Sequence, residues 1–314
     1  MNYHFTTTRA HIELQGASIL ELCGDEGLNT QSTNPFKGNM DLDKVEEAIS
    51  RYTPEKVSFI RMEATTNLFG GQPFSLQNLR DVKAVAVKYN ILLVFDGSLI
   101  SENAYFIQMR EPGCADKSVQ EIITEMMSLP DVLYMSGRKS TNVRGGMIAT
   151  NSKKHYTAML EWLPVYEGFA TYGGMSTKEI EAMAVGMREM TDTNTAGCAA
   201  EMVKYLAERL IDYGVPVVTP PGGPRRREPV RAAPAQTEYP AGALAAAVYL
   251  ASGARGMERG TMSYARDKDG SEIPADLELV RLAVPRRAYT MGQMEYVADR
   301  VDWLYQHRDM IGGL

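Results

Sequence analysis

The sequence predicts an α/β protein with a large domain built on a mostly parallel sheet, followed by a smaller α+β domain. Three observations carry this. Apolar runs of strand length alternate with amphipathic helical stretches through the first half of the chain. The best of these runs, Ile91–Phe95, is apolar throughout, as a strand buried on both faces reads. Two runs end in reactive side chains, Asp96 and Lys139, and ligands of such sheets sit at the carboxyl ends of strands.

Taken in order, Leu42, Val45, Ala48 and Ile49 recur at helical spacing after Asp41, a residue that caps helix starts. Lys56–Ala64 reads as a strand. Ser75 caps a helix whose face carries Leu76, Leu79, Val82 and Val85 or Ala86, and Asn90 ends it before the strand Ile91–Phe95. A helix over Val119–Met127 and a strand over Val132–Met135 follow. A long helical stretch runs from Lys178 to Tyr213, with Met183, Met187 and Met190 as core filler along one face. Gly214 ends it, and Val215–Thr219 reads as a short strand. The polar, Arg/Pro/Ala-rich stretch from Pro220 to Tyr239 reads as a loop, and Arg225-Arg226-Arg227 within it as a solvated one. A helix from Gly242 to Ser252, a strand from Leu277 to Val284 and a helix from Met291 to Gln306 complete the second domain. The expected division is residues 1–190 and 191–314.

Composition narrows the function classes. The 314 residues are 44% hydrophobic and 23% charged, ordinary for a globular enzyme. A net charge of −6 argues against a nucleic-acid partner, which needs a basic face. The three cysteines, Cys23, Cys114 and Cys198, are odd in number and widely spaced, which suits a reducing cytoplasm and suggests neither disulfides nor zinc. His4, His11, His155 and His307 lack metal-ligand spacing, and no apolar stretch is long enough to span a bilayer.

The chemistry centres on Lys139. It closes Asp131-Val-Leu-Tyr-Met-Ser-Gly-Arg-Lys139, an apolar strand running into a small-residue turn that delivers an amine. An amine and an acid at the ends of two strands are what a pyridoxal phosphate site needs: the amine condenses with the aldehyde, and the acid keeps the pyridine nitrogen protonated. Ser136 supplies a hydroxyl for the cofactor phosphate and Arg138 a charge. Asp96 has two open readings, cofactor partner and cap of the next helix or turn. Asn67 lies in Thr65-Thr-Asn-Leu-Phe-Gly-Gly-Gln-Pro73, either in a turn set by its glycines and proline or as an amide bonding the cofactor's phenolic oxygen. Arg281, within Leu279-Val-Arg-Leu-Ala-Val284, needs an anionic partner, either a structural carboxylate or the α-carboxylate of an amino acid.

With these residues in hand, the chain resembles the β-eliminating lyases, the family of tyrosine phenol-lyase and tryptophanase. The resemblance rests on Asn2-Tyr-His-Phe-Thr-Thr-Thr-Arg-Ala-His11, Phe36-Lys-Gly-Asn39, Gly70-Gly-Gln-Pro73, Glu102-Asn-Ala-Tyr-Phe-Ile107, Met135-Ser-Gly-Arg-Lys139, Tyr166-Glu-Gly168 and the segment from Arg281 through Pro285-Arg-Arg287. It implies a fold-type I, aspartate aminotransferase-like architecture with pyridoxal 5′-phosphate as cofactor. By position it implies Lys139 as the Schiff-base lysine, Asp96 as pyridinium partner, Asn67 at the ring oxygen, Phe5 stacked on the ring, Ser136 at the phosphate and Arg281 on the substrate carboxylate. Within Gly256-Met-Glu-Arg-Gly260, Met257 and Arg259 match the phenol-lyase pattern, with a plain ion pair as the other reading of Arg259, and Thr6 matches the hydroxyl that works beside that arginine. A polar pair at a phenolic oxygen helps the ring to leave. The resemblance further implies a homotetramer and, in the full-length family, a monovalent cation, potassium.

Four departures from the family pattern stand out. By the resemblance the chain starts inside the large domain and stops before the C-terminal aromatic strand, so the phosphate cradle is expected outside it and cofactor binding by this chain alone is expected to be weak. Leu99 stands where the family carries an arginine, and Phe169 also alters the pocket. Pro224–Gln236 replaces a small-domain strand. Two other readings stay open: a tryptophanase-like or other carbon–carbon or carbon–sulfur β-lyase, and an inactive remnant.

Overall fold

The computed structural model describes residues 1–166, 168–220, 235–264, 266–267, 269–286 and 288–314. The described chain divides into two compact units, one formed by Met1–Gly27, Pro35–Asn67 and Gly71–Gly197, the other by Leu28–Asn34, Leu68–Gly70 and Cys198–Leu314. In chain order the first holds α1 (Thr6–Leu14), α2 (Leu42–Tyr52), β1 (Phe59–Glu63), α3 (Leu76–Lys88), β2 (Leu92–Asp96), α4 (Ile100–Arg110), α5 (Val119–Ser128), β3 (Val132–Ser136), α6 (Gly137–Ser140), β4 (Gly146–Thr150), α7 (Lys153–Leu160), α8 (Leu163–Tyr166) and α9 (Thr177–Glu189). The division falls inside α10 (Thr193–Tyr213). The second unit adds α11 (Pro240–Ser252), β5 (Met257–Arg259), β6 (Leu279–Arg281) and α12 (Met291–Gln306).

The first unit is organised by a sheet of order β1-β2-β3-β4. β1, β2 and β3 run parallel, so Glu63, Asp96 and Ser136 end at the same edge; β4 closes the other side antiparallel. Parallel neighbours require long crossovers, and α3, α4 and α5 supply them. The helices start where the sequence places caps. Asp41 accepts the Lys44 amide at 3.1 Å, Ser75 the Asn78 amide at 3.1 Å, and Ser118 makes a reciprocal box with Glu121. Each helix then turns its apolar stripe to the sheet. Leu76, Leu79, Val82 and Ala86 of α3 and Ile122 and Met126 of α5 are buried with Ile60, Met62, Leu93, Phe95, Leu133 and Met135 of the strands. Each such large apolar side chain contributes roughly 1.5–3 kcal/mol by leaving water. Met190 belongs to this core and Met187 packs on it, as their helical spacing predicts.

Several boundaries differ from expectation. The strand expected over Lys56–Ala64 shrinks to β1, because Pro54–Lys56 forms a 3₁₀ turn. The stretch from Lys178 to Tyr213 is two helices rather than one. Asp192 interrupts it, and its carboxylate accepts the Thr195 amide at 2.8 Å to restart the second helix. Val215–Thr219 forms no strand: the Thr219 amide and hydroxyl bond the carbonyl of Thr30, and the hydroxyl also that of Ser32. The strand expected over Leu277–Val284 keeps only three residues, since its partner β5 is itself bounded by Gly256 and Gly260. Sequence reasoning did not resolve α1, α4, α7, α8, β4 or β5 as elements.

In the second unit α10 meets α12 through Leu206, Leu210, Met294 and Ala298, with Leu282 and Val284 packed against them. The Arg225–Arg227 cluster, most of the Pro224–Gln236 run, Glu167 and Arg287 lie outside the described residues. Among the described residues no helix is long and apolar enough to cross a membrane.

Candidate active site

The turn after β2 and the turn after β3 are joined through Ser98. Its backbone amide donates to Asp96 Oδ1 at 3.0 Å, its hydroxyl accepts the Ser136 amide at 3.0 Å, and its carbonyl accepts the Ser140 hydroxyl at 3.0 Å. The Gly97 amide also donates to the Tyr134 carbonyl at 2.8 Å. The acid that ends β2 and the lysine-bearing α6 are therefore held to one frame. Asp96 does not cap α4, whose first turn follows Leu99 without a side-chain cap. Its two oxygens divide their work between the local turn and an ion pair.

That ion pair belongs to a buried cluster which the sequence reading missed. Arg61 and Glu63 share one face of β1; Asp96 is the register partner of Glu63, and Tyr134 the register partner of Asp96. A row of polar side chains thus crosses three strands. Arg61, 1% exposed, spends its guanidinium on all of them: Nη2 donates to Glu63 Oε2 at 2.9 Å and to Asp96 Oδ2 at 2.7 Å, Nε to the Tyr134 hydroxyl at 2.7 Å, and Nη1 to the Tyr3 carbonyl at 3.1 Å. Burial works to discharge Arg61, but Glu63, Tyr134 and Asp96 outweigh it and hold its pKa above the ordinary value. Burial raises Glu63, and neighbouring Asp96 adds to that rise against the pull of Arg61. Burial pushes the Tyr134 phenol up to about 12. A sequence signal existed: two opposite charges at i and i+2 in a strand between apolar neighbours cannot both be left without partners.

Lys139 Nζ lies 4.8 Å from the centroid of the Phe5 ring. An ammonium over an aromatic face gains about 0.5–2 kcal/mol, so the pair positions the amine. Phe5 is in turn placed by the segment before α1. The Asn2 side chain accepts the Glu63 amide at 3.0 Å and donates to the carbonyls of Gly38 and Glu63 at 3.0 and 3.2 Å. Three of the segments that carry the family resemblance meet here, since the Gly38 amide also donates to the Pro73 carbonyl at 2.9 Å. Gly38 leaves no alternative residue: a Cβ there would lie 2.4 Å from the Gln72 carbonyl oxygen.

The remaining expected site residues of the first unit sit as follows. Asn67 opens a 3₁₀ turn, and its amide donates to Glu63 Oε1 at 3.2 Å, while Gly70 and Gly71 take positive φ angles of 98° and 66°. Ser136 ends β3, half-buried; Arg138 is exposed on α6. Thr6 is the first residue of α1 and half-buried, and Thr8, two residues on, is 3.3 Å from the Tyr134 hydroxyl. Phe169 is 61% exposed and tilts against Tyr172.

In the second unit, β5 and β6 pair Met257 with Arg281. Arg259 and Arg281 both direct an Nη2 at the Met257 sulfur, at 3.1 and 3.0 Å. Burial lowers the Arg281 pKa, and the repulsion of Arg259 lowers it further. Two guanidiniums brought to one soft acceptor attract an anion.

Residues 1–300 match the sequence model of the beta-eliminating lyase family. The chain belongs to the beta-eliminating lyases. Among relatives of this lyase, the tyrosine phenol-lyase of Intrasporangium calvum is 43% identical over 319 residues, covering 100% of this chain and 67% of that protein. The tryptophanase of Salinibacter ruber is 40% identical over 316 residues, covering 99% of this chain and 67% of that protein. The lyase spans about two thirds of the length of these relatives. A solved structure, the serine palmitoyltransferase of Sphingomonas wittichii, superposes with a TM-score of 0.55 at 16% identity, covering 86% of this chain and 60% of that one. The likeness shows the fold, the mixed, mostly parallel sheet with helices that the sequence predicts.

Proposed function

We propose that this lyase carries the pyridoxal-phosphate-dependent β-elimination of tyrosine to phenol, pyruvate and ammonia. The observation that carries the reading is the amine of Lys139 held over the Phe5 ring on a turn stapled through Ser98 to the acid Asp96. The donor set fits the cofactor. It offers an amine for the aldehyde, an aromatic face for the ring and a carboxylate for the pyridine nitrogen. Arg61 and the Ser98 amide take one position on each Asp96 oxygen, and a carboxylate has about four.

When bound, pyridoxal phosphate supplies an electron sink. The chain's own residues do the rest. Lys139 anchors the cofactor and moves the proton of the substrate α-carbon. With the cofactor bound, Asp96 would hold the proton on the pyridine nitrogen, Phe5 would cover the ring, Asn67 would serve its phenolic oxygen, and Ser136 and Arg138 would serve its phosphate. Arg281 binds the α-carboxylate as a fork. By the resemblance, Thr6 of the first unit and Arg259 of the second are assigned to the phenolic oxygen, and Phe169 and Met257 to the aromatic ring. The repulsion between Arg281 and Arg259 supports a substrate that brings negative or electron-rich groups to both. We read the lyase as a cytoplasmic homotetramer, in line with three free cysteines, and potassium as belonging to the full-length family's cation site.

The tryptophanase-like reading has its own support in the Salinibacter ruber relative and in Leu99, which makes the pocket less polar. Pyruvate release from tyrosine, tryptophan and S-alkyl cysteines separates the two. Borohydride reduction with cofactor present, followed by peptide mass analysis, is expected to label Lys139; a label elsewhere, or none, defeats the proposal.

A further inference from the structure

We infer that the Arg61–Glu63–Asp96–Tyr134 cluster stores a proton on Glu63 and gives it up to solvent when a protonated pyridine nitrogen arrives at Asp96. The inference rests on the pyridoxal phosphate reading above and adds to it a residue, Glu63, that takes no part in the chemistry.

Charge counting carries it. One cation, Arg61, faces two carboxylates through a single nitrogen, Nη2, at 2.9 Å from Glu63 and 2.7 Å from Asp96. All three residues are at most 5% exposed. With both acids ionised the cluster carries one uncompensated buried negative charge, which is costly, and two carboxylates sharing a site settle this by one of them keeping a proton.

Hydrogen bonds decide which. Asp96 accepts at 2.7 and 3.0 Å, Glu63 at 2.9 and 3.2 Å, so the anion is better held on Asp96 and the proton falls to Glu63. The other groups facing the cluster do not alter the count. Tyr134, from β3, keeps its proton because burial pushes it up to about 12. The Met1 nitrogen is engaged by the Leu20 carbonyl at 2.8 Å. His4 pairs with Glu21, Lys139 lies over Phe5, and Thr8 and the Asn67 amide carry no charge. A pyridinium supplies the missing second cation. Glu63 then ionises, and the buried charges balance two against two.

The test is calorimetric titration of the full 314-residue chain with pyridoxal 5′-phosphate, in buffers of different ionisation heat and across pH, for the wild type and Glu63→Gln. The comparison cancels protons moved by Lys139 and by the phosphate. The wild type is expected to release about one proton more than the variant. Between the ordinary carboxylate range and the raised Glu63 titration, the wild-type affinity is expected to gain an extra factor of about ten per pH unit, the consequence of one linked proton. Equal proton release and equal slopes overturn the inference while leaving the cofactor reading in place. Failure of either protein to bind, with no borohydride label on Lys139, overturns both. A second measurement does not depend on how the variant folds. Infrared spectra of cofactor-free wild type with labelled glutamate, recorded across pH, are expected to show a protonated carboxyl band persisting above the ordinary carboxylate range that disappears on cofactor addition, and absence of that band overturns the inference.

Discussion

Replacing Arg61 by methionine keeps most of the side-chain volume and deletes the charge. Four hydrogen bonds go with it, to Glu63, Asp96, Tyr134 and the Tyr3 carbonyl. What remains is the carboxyl groups of two buried residues, with no guanidinium between them. Removing one partner of a buried ion pair costs about 3–5 kcal/mol, chiefly because the charge left behind is uncompensated. At about 2–4 °C per kcal/mol for a unit of 150–250 residues, Arg61→Met should lower the melting temperature by roughly 6–20 °C at pH 7. Scanning calorimetry measures this directly. The loss should shrink on acidification, as the charge left behind is neutralised. The double variant Arg61→Met with Asp96→Asn, which removes the acid that keeps the charge, should recover more than half of the loss. An Arg61→Met protein within about 1 kcal/mol of wild type at pH 7 would refute the view that these charges are buried and interdependent.

Three further outcomes are expected. Glu63 has a folded pKa above its unfolded one, so the folded state binds the extra proton; stability should fall as pH rises from the ordinary carboxylate range to the raised value, and Glu63→Gln should flatten that part of the profile in chemical denaturation. Lys37, 2% exposed, is brought from 10.5 to about 8 by burial; stability should therefore rise between pH 8 and 10 by on the order of 3 kcal/mol, and Lys37→Met should abolish the rise. Gly38→Ala places a methyl 2.4 and 2.8 Å from two backbone oxygens that cannot move independently, and should cost about 1–3 kcal/mol or more in the same assay.

Much of the first unit was legible in the sequence because its signals are local. Asp41, Ser75 and Ser118 cap helices by bonding amides three residues away, and the stripe Leu76, Leu79, Val82 and Ala86 is buried as its spacing requires. Short elements were harder. β4 is largely exposed along Gly146–Thr150, β5 and β6 have three residues each, and propensity over so few positions decides little. The break between α9 and α10 was hidden because Met183, Met187 and Met190 keep one helical face up to the interruption.

The sequence alone determined the family, the alternation of strand and helix, and the positions of Asp96 at the end of β2 and Lys139 just after β3, since period, caps and motif spacing are properties of contiguous residues. Only the tertiary structure decided that Arg61, 35 positions from Asp96, would take the acid's second oxygen, and that Phe5 would lie under the Lys139 amine. Those pairings depend on which strands become neighbours and in what register. They also depend on burial, which turns a solvated charge into one that must be matched by another.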